Sequence, residues 1–459
     1  MQPQAAKMRV LIIVQNLPVP LDRRVWLECQ ALRDRGYTVS VICPKGPGDP
    51  SHEVIDDIAV YKYRPAPEAA GIAGFAYEFA YSWLRTAGIS LRVHRQRGFD
   101  VIQACNPPDT YWLLALLWKL AGVRFVFDHH DLNPELFLSR FGEPSSKFGR
   151  LQLAGLRWLE RRTFRTADHV ISTNESYKEI AMRRGGLPED QVTVVRSGPD
   201  TSRMRPIHPP ESIRRGADYL LVYLGIMGPQ DGVAAVLHLM DELVHRRGRT
   251  TVRAALLGFG DCLDDLRAEC THLGLDDHVE FTGRVGPEQV AQYLSAADVG
   301  IGPDPKTPLN ELSTMNKTME YMAFALPSVA YDLKETRVSG EDAVLYVPSG
   351  DIDALADAVE KLIDDEDLRV EMAVRGRRRV SRILDWRPQR AAYVAAIDSV
   401  TRLAEPQAEV LDQPDAIAGE MGVGGVLVDL REEALREFVR FRGRSTPPSI
   451  VDVQSSGNT

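Results

Sequence analysis

No stretch of this chain approaches the roughly 20 consecutive apolar residues that a membrane-spanning helix needs. The run from Tyr111 to Leu120 is broken by Lys119, and Ala69 to Leu91 contains Glu78 and Arg85. Any contact with a membrane is therefore expected from its surface. Cysteine is scarce: Cys29, Cys43, Cys105, Cys262 and Cys270 have no metal-ligand spacing, and three of them lie in or beside apolar strand-like runs. A reduced, cytoplasmic protein is expected, without a zinc module or a disulfide framework. Excess positive charge is also missing, since the formal net charge is −9; this argues against a general nucleic-acid binder. The short polar segment Met1 to Lys7 lacks the features of a signal peptide.

The rest of the composition is ordinary for a soluble globular protein, with 44% hydrophobic and 26% charged residues. At 459 residues the chain exceeds one ordinary core, so two domains are expected. Apolar strand patterns at Arg9–Val14, Thr38–Ile42, Asp100–Ala104, Arg124–Asp128, Asp168–Ser172 and Gln191–Val195 alternate with helical ones. After a Pro-rich, charged lapse from Pro206 to Arg215, strands return at Tyr219–Leu224, Arg253–Leu257, His278–Phe281, Asp298–Ile301, Ser328–Tyr331 and Ala343–Val347. Such alternation predicts an α/β fold of two Rossmann-like doubly wound domains facing across a cleft. The expected division is 1–205, 206–385, a closing helix at 386–405, and a mostly flexible tail at 406–459 with one short helix near Arg431–Phe441.

In doubly wound sheets ligands sit beyond the carboxyl ends of the strands. From Thr314 to Ala325, Met315, Met319, Met322 and Phe324 recur at near-helical spacing, and Leu326-Pro327 ends the pattern before an apolar strand. Ser313 or Thr314 is the expected N-cap, with no acid in the first turn and Lys317 at the positive end of the helix dipole. Free N–H groups, two hydroxyls and an ammonium suit a phosphate, and Glu320 one turn on suits sugar hydroxyls. The bland reading is a capping serine, a solvated lysine and a surface acid.

Gly258-Phe259-Gly260, Leu273-Gly274-Leu275 with Val279 to Gly283, Ala296-Ala297-Asp298-Val299, and Glu320-Tyr321-Met322-Ala323 with Leu326-Pro327 occur in that order. This succession resembles the carboxyl half of glycosyltransferase family 4, a GT-B-fold family of retaining enzymes that use nucleotide-sugar donors. The likeness spans Met8 to Leu403, and the Ser-Thr-Met-Asn-Lys form resembles a subgroup that includes enzymes of bacterial surface-polysaccharide synthesis. It implies that Glu320 is the second of the family's paired glutamates and binds donor ribose, while Leu312 stands where the first is expected, beside Glu311. Ser313, Thr314, Met315 and Asn316 would present N–H groups to the donor phosphates and sugar. The loop after the first strand of the second domain, Gly225 to Gly232, carries Gly228 and Gln230 on the donor side but has Asp231 where relatives place a lysine. Lys317 would replace that charge, with Arg284 after Gly283 as a further cation.

In the first domain, the resemblance makes His130, in Phe125 to Asp131, the histidine beneath the reacting sugar, with His129 as runner-up and Asp131 beside it. An imidazole there orients the sugar without acting as a base. Metal ligation by the Asp-His-His-Asp run is the less favoured reading. Leu21-Asp22-Arg23-Arg24 stands where the family has paired glycines, and Arg23 or Arg24 would reach an acceptor or donor phosphate, unless they are solvated helix-start charges. Arg196 to Asp200 resembles the family's turn at the domain junction, and closure about 196–206 and the helix after Trp386 would exclude water. Between Phe75 and Arg97, aromatic and basic residues on one helix suit a membrane interface or, more ordinarily, a core.

The expected function is retaining transfer of a sugar from a nucleoside-diphosphate sugar to a glycan or lipid-linked acceptor in cell-surface glycoconjugate synthesis. His130 and Glu320 serve the reaction, and no cofactor or metal is required. The protein would work in the cytoplasm, at the inner face of the plasma membrane. The alternative is a non-catalytic binding or assembly protein of the same fold, for which the missing acid and lysine speak.

Overall fold

A computed structural model of the chain describes residues 8–67, 71–402 and 421–443. The described chain divides into two compact units: the first runs to Ser197 and resumes at Trp386, and the second spans Gly198–Asp385 together with the described part of the tail. The chain thus passes between units at 197/198 and 385/386, earlier than the Pro-rich lapse at 206. The flexibility expected of 406–420 and 444–459 lies outside the described residues.

The first unit holds eight strands, β1 (Arg9–Ile13), β2 (Thr38–Pro44), β3 (His52–Ile55), β4 (Ile58–Tyr63), β5 (Val101–Cys105), β6 (Arg124–His129), β7 (His169–Ser172) and β8 (Val192–Val194). Their order is β3-β4-β2-β1-β5-β6-β7-β8. All neighbours pair in parallel except β3 and β4. Alternate residues of β1 enter opposite cores: Val10 and Ile12 pack under helix Arg23–Arg35, Leu11 and Ile13 among Phe99, Trp118 and Phe164. Both faces are covered, which is why these strands read as continuous apolar runs. Helix Trp386–Thr401 packs into the first of these cores through Tyr393, Val394 and Ile397, so the expected closing helix is part of this unit.

The second unit carries β9 (Tyr219–Leu224), β10 (Val252–Leu257), β11 (Val279–Gly283), β12 (Val299–Gly302), β13 (Ser328–Tyr331) and β14 (Val344–Val347) in the all-parallel order β11-β10-β9-β12-β13-β14. Leu221 and Tyr223 face one core and Leu220 and Val222 the other. The described tail docks on this unit. Ile207 bridges Leu427, and helix Glu432–Phe441 buries Leu435, Phe438 and Val439 against Val370 and Ala373.

Candidate functional site

In the second unit, the loops leaving β9, β10 and β11 are tied together by their backbones. Gly225 N–H donates to Leu257 O at 3.0 Å, Met227 N–H to Phe259 O at 2.9 Å, and Gly258 N–H to Gly283 O at 3.1 Å. The approach is so close that a Cβ on Gly258 would lie 1.8 Å from Gly225 O, and one on Gly260 would lie 2.7 Å from the Met227 backbone. Only glycine fits these two places, and both also have φ near +150°. Gly228 N–H donates to Asp231 Oδ2 at 3.0 Å, so Asp231 braces its own loop. Gln230 is half-buried beside Gly228, and its carbonyl oxygen on the main chain accepts from Asn310 Nδ2 at 2.9 Å. Arg284 is exposed and lies with its guanidinium 5.0 Å from the Phe259 ring centre.

The helix that these loops face begins two residues later than the sequence predicts. It spans Asn316–Ala323 with Met315 at the N-cap, and no side chain caps it. Ser313 lies two residues before that N-cap, and its hydroxyl donates back to Leu309 O at 2.9 Å. An uncapped first turn leaves N–H groups without helical partners, here following half-buried Ser313, Thr314 and Met315, with Asn316 exposed. Glu320 is half-buried one turn along. Tyr321 pins the helix to the sheet: its hydroxyl accepts from Leu224 N–H at 3.0 Å and donates to Ile301 O at 3.1 Å.

Lys317 departs from expectation. Its ammonium is buried against Asp304, with Nζ 2.5 Å from Oδ1, and lies 5.2 Å from the Tyr223 ring centre. A charge already balanced by a buried carboxylate is a weak substitute for the missing lysine. Asp304, just beyond β12, was not legible as its partner, because the pairing depends on a tertiary approach of loop and helix. Glu311, beside Leu312, pairs with Lys306 at 3.4 Å.

In the first unit, Arg24 and His130 meet, but inside the protein. Arg24 is buried; its guanidinium donates to Asp128 Oδ1 at 2.9 Å, Val195 O at 2.7 Å, Ser197 Oγ at 3.2 Å and His130 Nε2 at 3.0 Å, and it pairs with Glu28 at 3.1 Å. Burial works against its charge, yet Asp128 and Glu28 outweigh burial and raise the pKa. The same contacts pull the Asp128 carboxyl far below the carboxylate range despite burial, whereas burial and Asp128 push Glu28 up. Gln103 bridges the two acids at 2.8 and 2.9 Å and accepts from Tyr393 OH at 2.6 Å. Arg24 is thus a structural cation rather than an acceptor-phosphate ligand, while Arg23 is exposed.

His130 keeps some exposure, with Nε2 also 2.8 Å from Asp128 Oδ2. Asn106 Oδ1 accepts from the backbone N–H of His130 at 2.7 Å and of half-buried Asp131 at 3.1 Å, fixing the turn that presents them. His129, by contrast, is fully buried among Phe127, Phe164 and Tyr177. Cys105, Asp128 and His130 also gather their donor atoms within 4.8 Å. Arg24 already supplies the cation on two of them, so the cluster is poorly suited to a metal.

Comparison with known proteins places this architecture. Residues 21–198 match the Glycosyl transferase 4-like domain and residues 218–365 the Glycosyl transferases group 1 domain. The phosphatidyl-myo-inositol mannosyltransferase of Mycolicibacterium smegmatis is 30% identical over 392 residues, covering 84% of this chain and 92% of that protein. The chain belongs to glycosyltransferase family 4. Its fold is GT-B: the sucrose-phosphate synthase of Thermosynechococcus elongatus superposes with a TM-score of 0.69 at 18% identity, covering 87% of this chain and all (100%) of the other. Anabaena HepE, solved with UDP-glucose, superposes with a TM-score of 0.62 at 17% identity, covering 85% and 100% respectively. The chain is therefore a glycosyltransferase by family.

Proposed function

We propose that this glycosyltransferase moves a sugar from a nucleoside-diphosphate sugar to a glycan or lipid-linked acceptor, with retention of configuration, in cell-surface polysaccharide or glycoconjugate synthesis. The observation that carries the reading is the uncapped start of helix Asn316–Ala323, set beside the glycine loops at the carboxyl ends of β9 to β11, with Glu320 one turn along. N–H groups at a helix start attract an anion and stabilise the charge that grows on a departing diphosphate. Ser313 to Asn316 would hold the diphosphate, with Gly228, Gln230, Gly283 and Arg284 around it. Glu320 would accept from ribose hydroxyls, and His130 with Asp131 would orient the sugar and acceptor. The HepE complex with UDP-glucose supports a donor of this class. The site of action is the cytoplasmic face of the plasma membrane.

A panel of UDP-, GDP- and ADP-sugars tests this by thermal protection and by turnover. One nucleotide class is expected to raise the melting temperature, and Glu320→Ala to weaken that protection at least tenfold, equivalent to about 1.4 kcal/mol. Failure of every nucleotide to bind would overturn the reading.

A further inference from the structure

Three neighbouring helices of the first unit turn an unusual face to solvent. On Gly71–Gln96, Tyr77, Leu84 and Leu91 are 52%, 65% and 50% exposed. On Tyr111–Lys119, Leu113, Leu116 and Leu117 are exposed, and Leu120 just beyond is 88% exposed. On Lys147–Thr166, Phe148, Leu151 and Trp158 are 59%, 69% and 48% exposed. The middle helix touches both others. Trp112 meets Trp158 edge-on at 5.8 Å, and Trp118 donates to Ser90 Oγ at 3.2 Å. Single exposed leucines need no explanation, but this many on three helices in contact do.

Cations accompany these apolar residues. Arg85, Arg92 and Arg95 are exposed on the first helix, and Lys147, Arg150, Arg157, Arg161 and Arg162 on the third; none of them pairs with a carboxylate among the described residues. The acids of the three helices are Glu78, which is half-buried, and Glu160, which is buried against Arg184 at 2.9 Å. In a chain of net charge −9, this is a strong local segregation. Arg162 lies over the Trp158 ring at 5.5 Å, pairing a cation with an aromatic at the surface.

We infer that this three-helix face docks on an anionic lipid surface. Leucine and aromatic side chains enter the headgroup boundary while arginines meet lipid phosphates, the pattern of an interfacial rather than a spanning element. No described helix is long and apolar enough to cross a membrane. A soluble polyanion would use the arginines and leave the leucines in water. A second copy of the chain would cover the leucines but set like charges against each other. The inference deepens the lipid-linked side of the proposed function by naming the surface that brings the enzyme to its acceptor.

The test is co-sedimentation of the full-length protein with vesicles of phosphatidylcholine alone or mixed with phosphatidylglycerol. Binding is expected to the anionic vesicles, to weaken with salt, and to fall by about tenfold or more in R157E/R161E/R162E. Leu117→Ser with Leu151→Ser is expected to weaken binding at unchanged charge. These residues are exposed, so an unchanged melting temperature checks that the variants fold. Equal binding to both vesicles, binding that neither variant weakens, or leucine-dependent self-association without vesicle binding would each overturn the inference. The assay needs neither donor nor acceptor. Its failure leaves the transferase reading standing, and a failed donor panel leaves this result readable.

Discussion

His129 and His130 are adjacent in sequence and occupy opposite environments. Burial among aromatic rings drives the His129 pKa from 6.5 to about 3, with the charge of His130 acting in the same direction. A lowered histidine pKa means that the unfolded chain binds the proton first. Its contribution to stability is therefore intact above pH 6.5 and is lost as the pH falls toward 3, at up to about 1.4 kcal/mol per pH unit. His129→Phe removes that proton uptake and keeps a ring of similar size. Urea melts between pH 7 and pH 4, within the range set by these values, are expected to show a shallower loss of stability for the variant than for the wild type. Parallel curves would contradict the assignment. Lys317 supplies a second residue-scale case. Lys317→Met leaves Asp304 buried without its partner, a change expected to cost about 3–5 kcal/mol. Lys317→Met combined with Asp304→Leu is expected to recover most of it, because the buried charge is gone. Denaturant midpoints check this, and a double variant no more stable than the single one would show that the pair does more than balance charge.

At the level of elements, helix Asn316–Ala323 is held at both ends. Its start faces the glycine loops, and its end is capped by a residue far away in sequence. Arg442, buried at 1% exposure, donates to Leu294 O, Ala297 O at 2.8 Å, Phe324 O at 2.8 Å and Ala325 O, closing the ends of helices Pro287–Ala296 and Asn316–Ala323. A cation suits the negative end of a helix, and although burial pulls this guanidinium down to about 9, it stays charged at neutral pH. Arg442→Gln strands several buried carbonyls and is expected to destabilise the second unit by roughly 2–4 kcal/mol. Hydrogen exchange at residues 324–326 should accelerate in step, and unchanged protection there would deny the cap. The elements themselves were mostly legible from periodicity, and the tail helix expected at Arg431–Phe441 is found at Glu432–Phe441. The hairpin of β3 and β4 was missed. Its turn is Asp56-Asp57, both at positive φ, in place of the Asn-Gly or Asp-Gly that marks such turns. The sequence places the start of helix Asn316–Ala323 early because a serine before a helix signals a cap, whereas the cap position falls on Met315.

For the whole molecule, each unit buries its own sheet and cores, so calorimetry is expected to resolve contributions from two units. A bound nucleoside diphosphate should raise only the transition of the unit that carries Asn316–Ala323. The shift corresponds to about 2.7 kcal/mol at a ligand concentration one hundredfold above Kd. A shift confined to the other transition would move the donor site to the first unit.

The alternation of apolar strands with helices determined two doubly wound sheets, and the order of glycine and acidic motifs determined the family. Both are properties of local pattern along the chain, which the sequence carries directly. The fate of individual charges was decided only by tertiary structure. Arg24 reaches Asp128 across 104 positions and Lys317 reaches Asp304 across 13. Whether a cation meets solvent, a ligand or a buried carboxylate depends on which loops the sheet brings together, and burial then makes the pairing energetically obligatory.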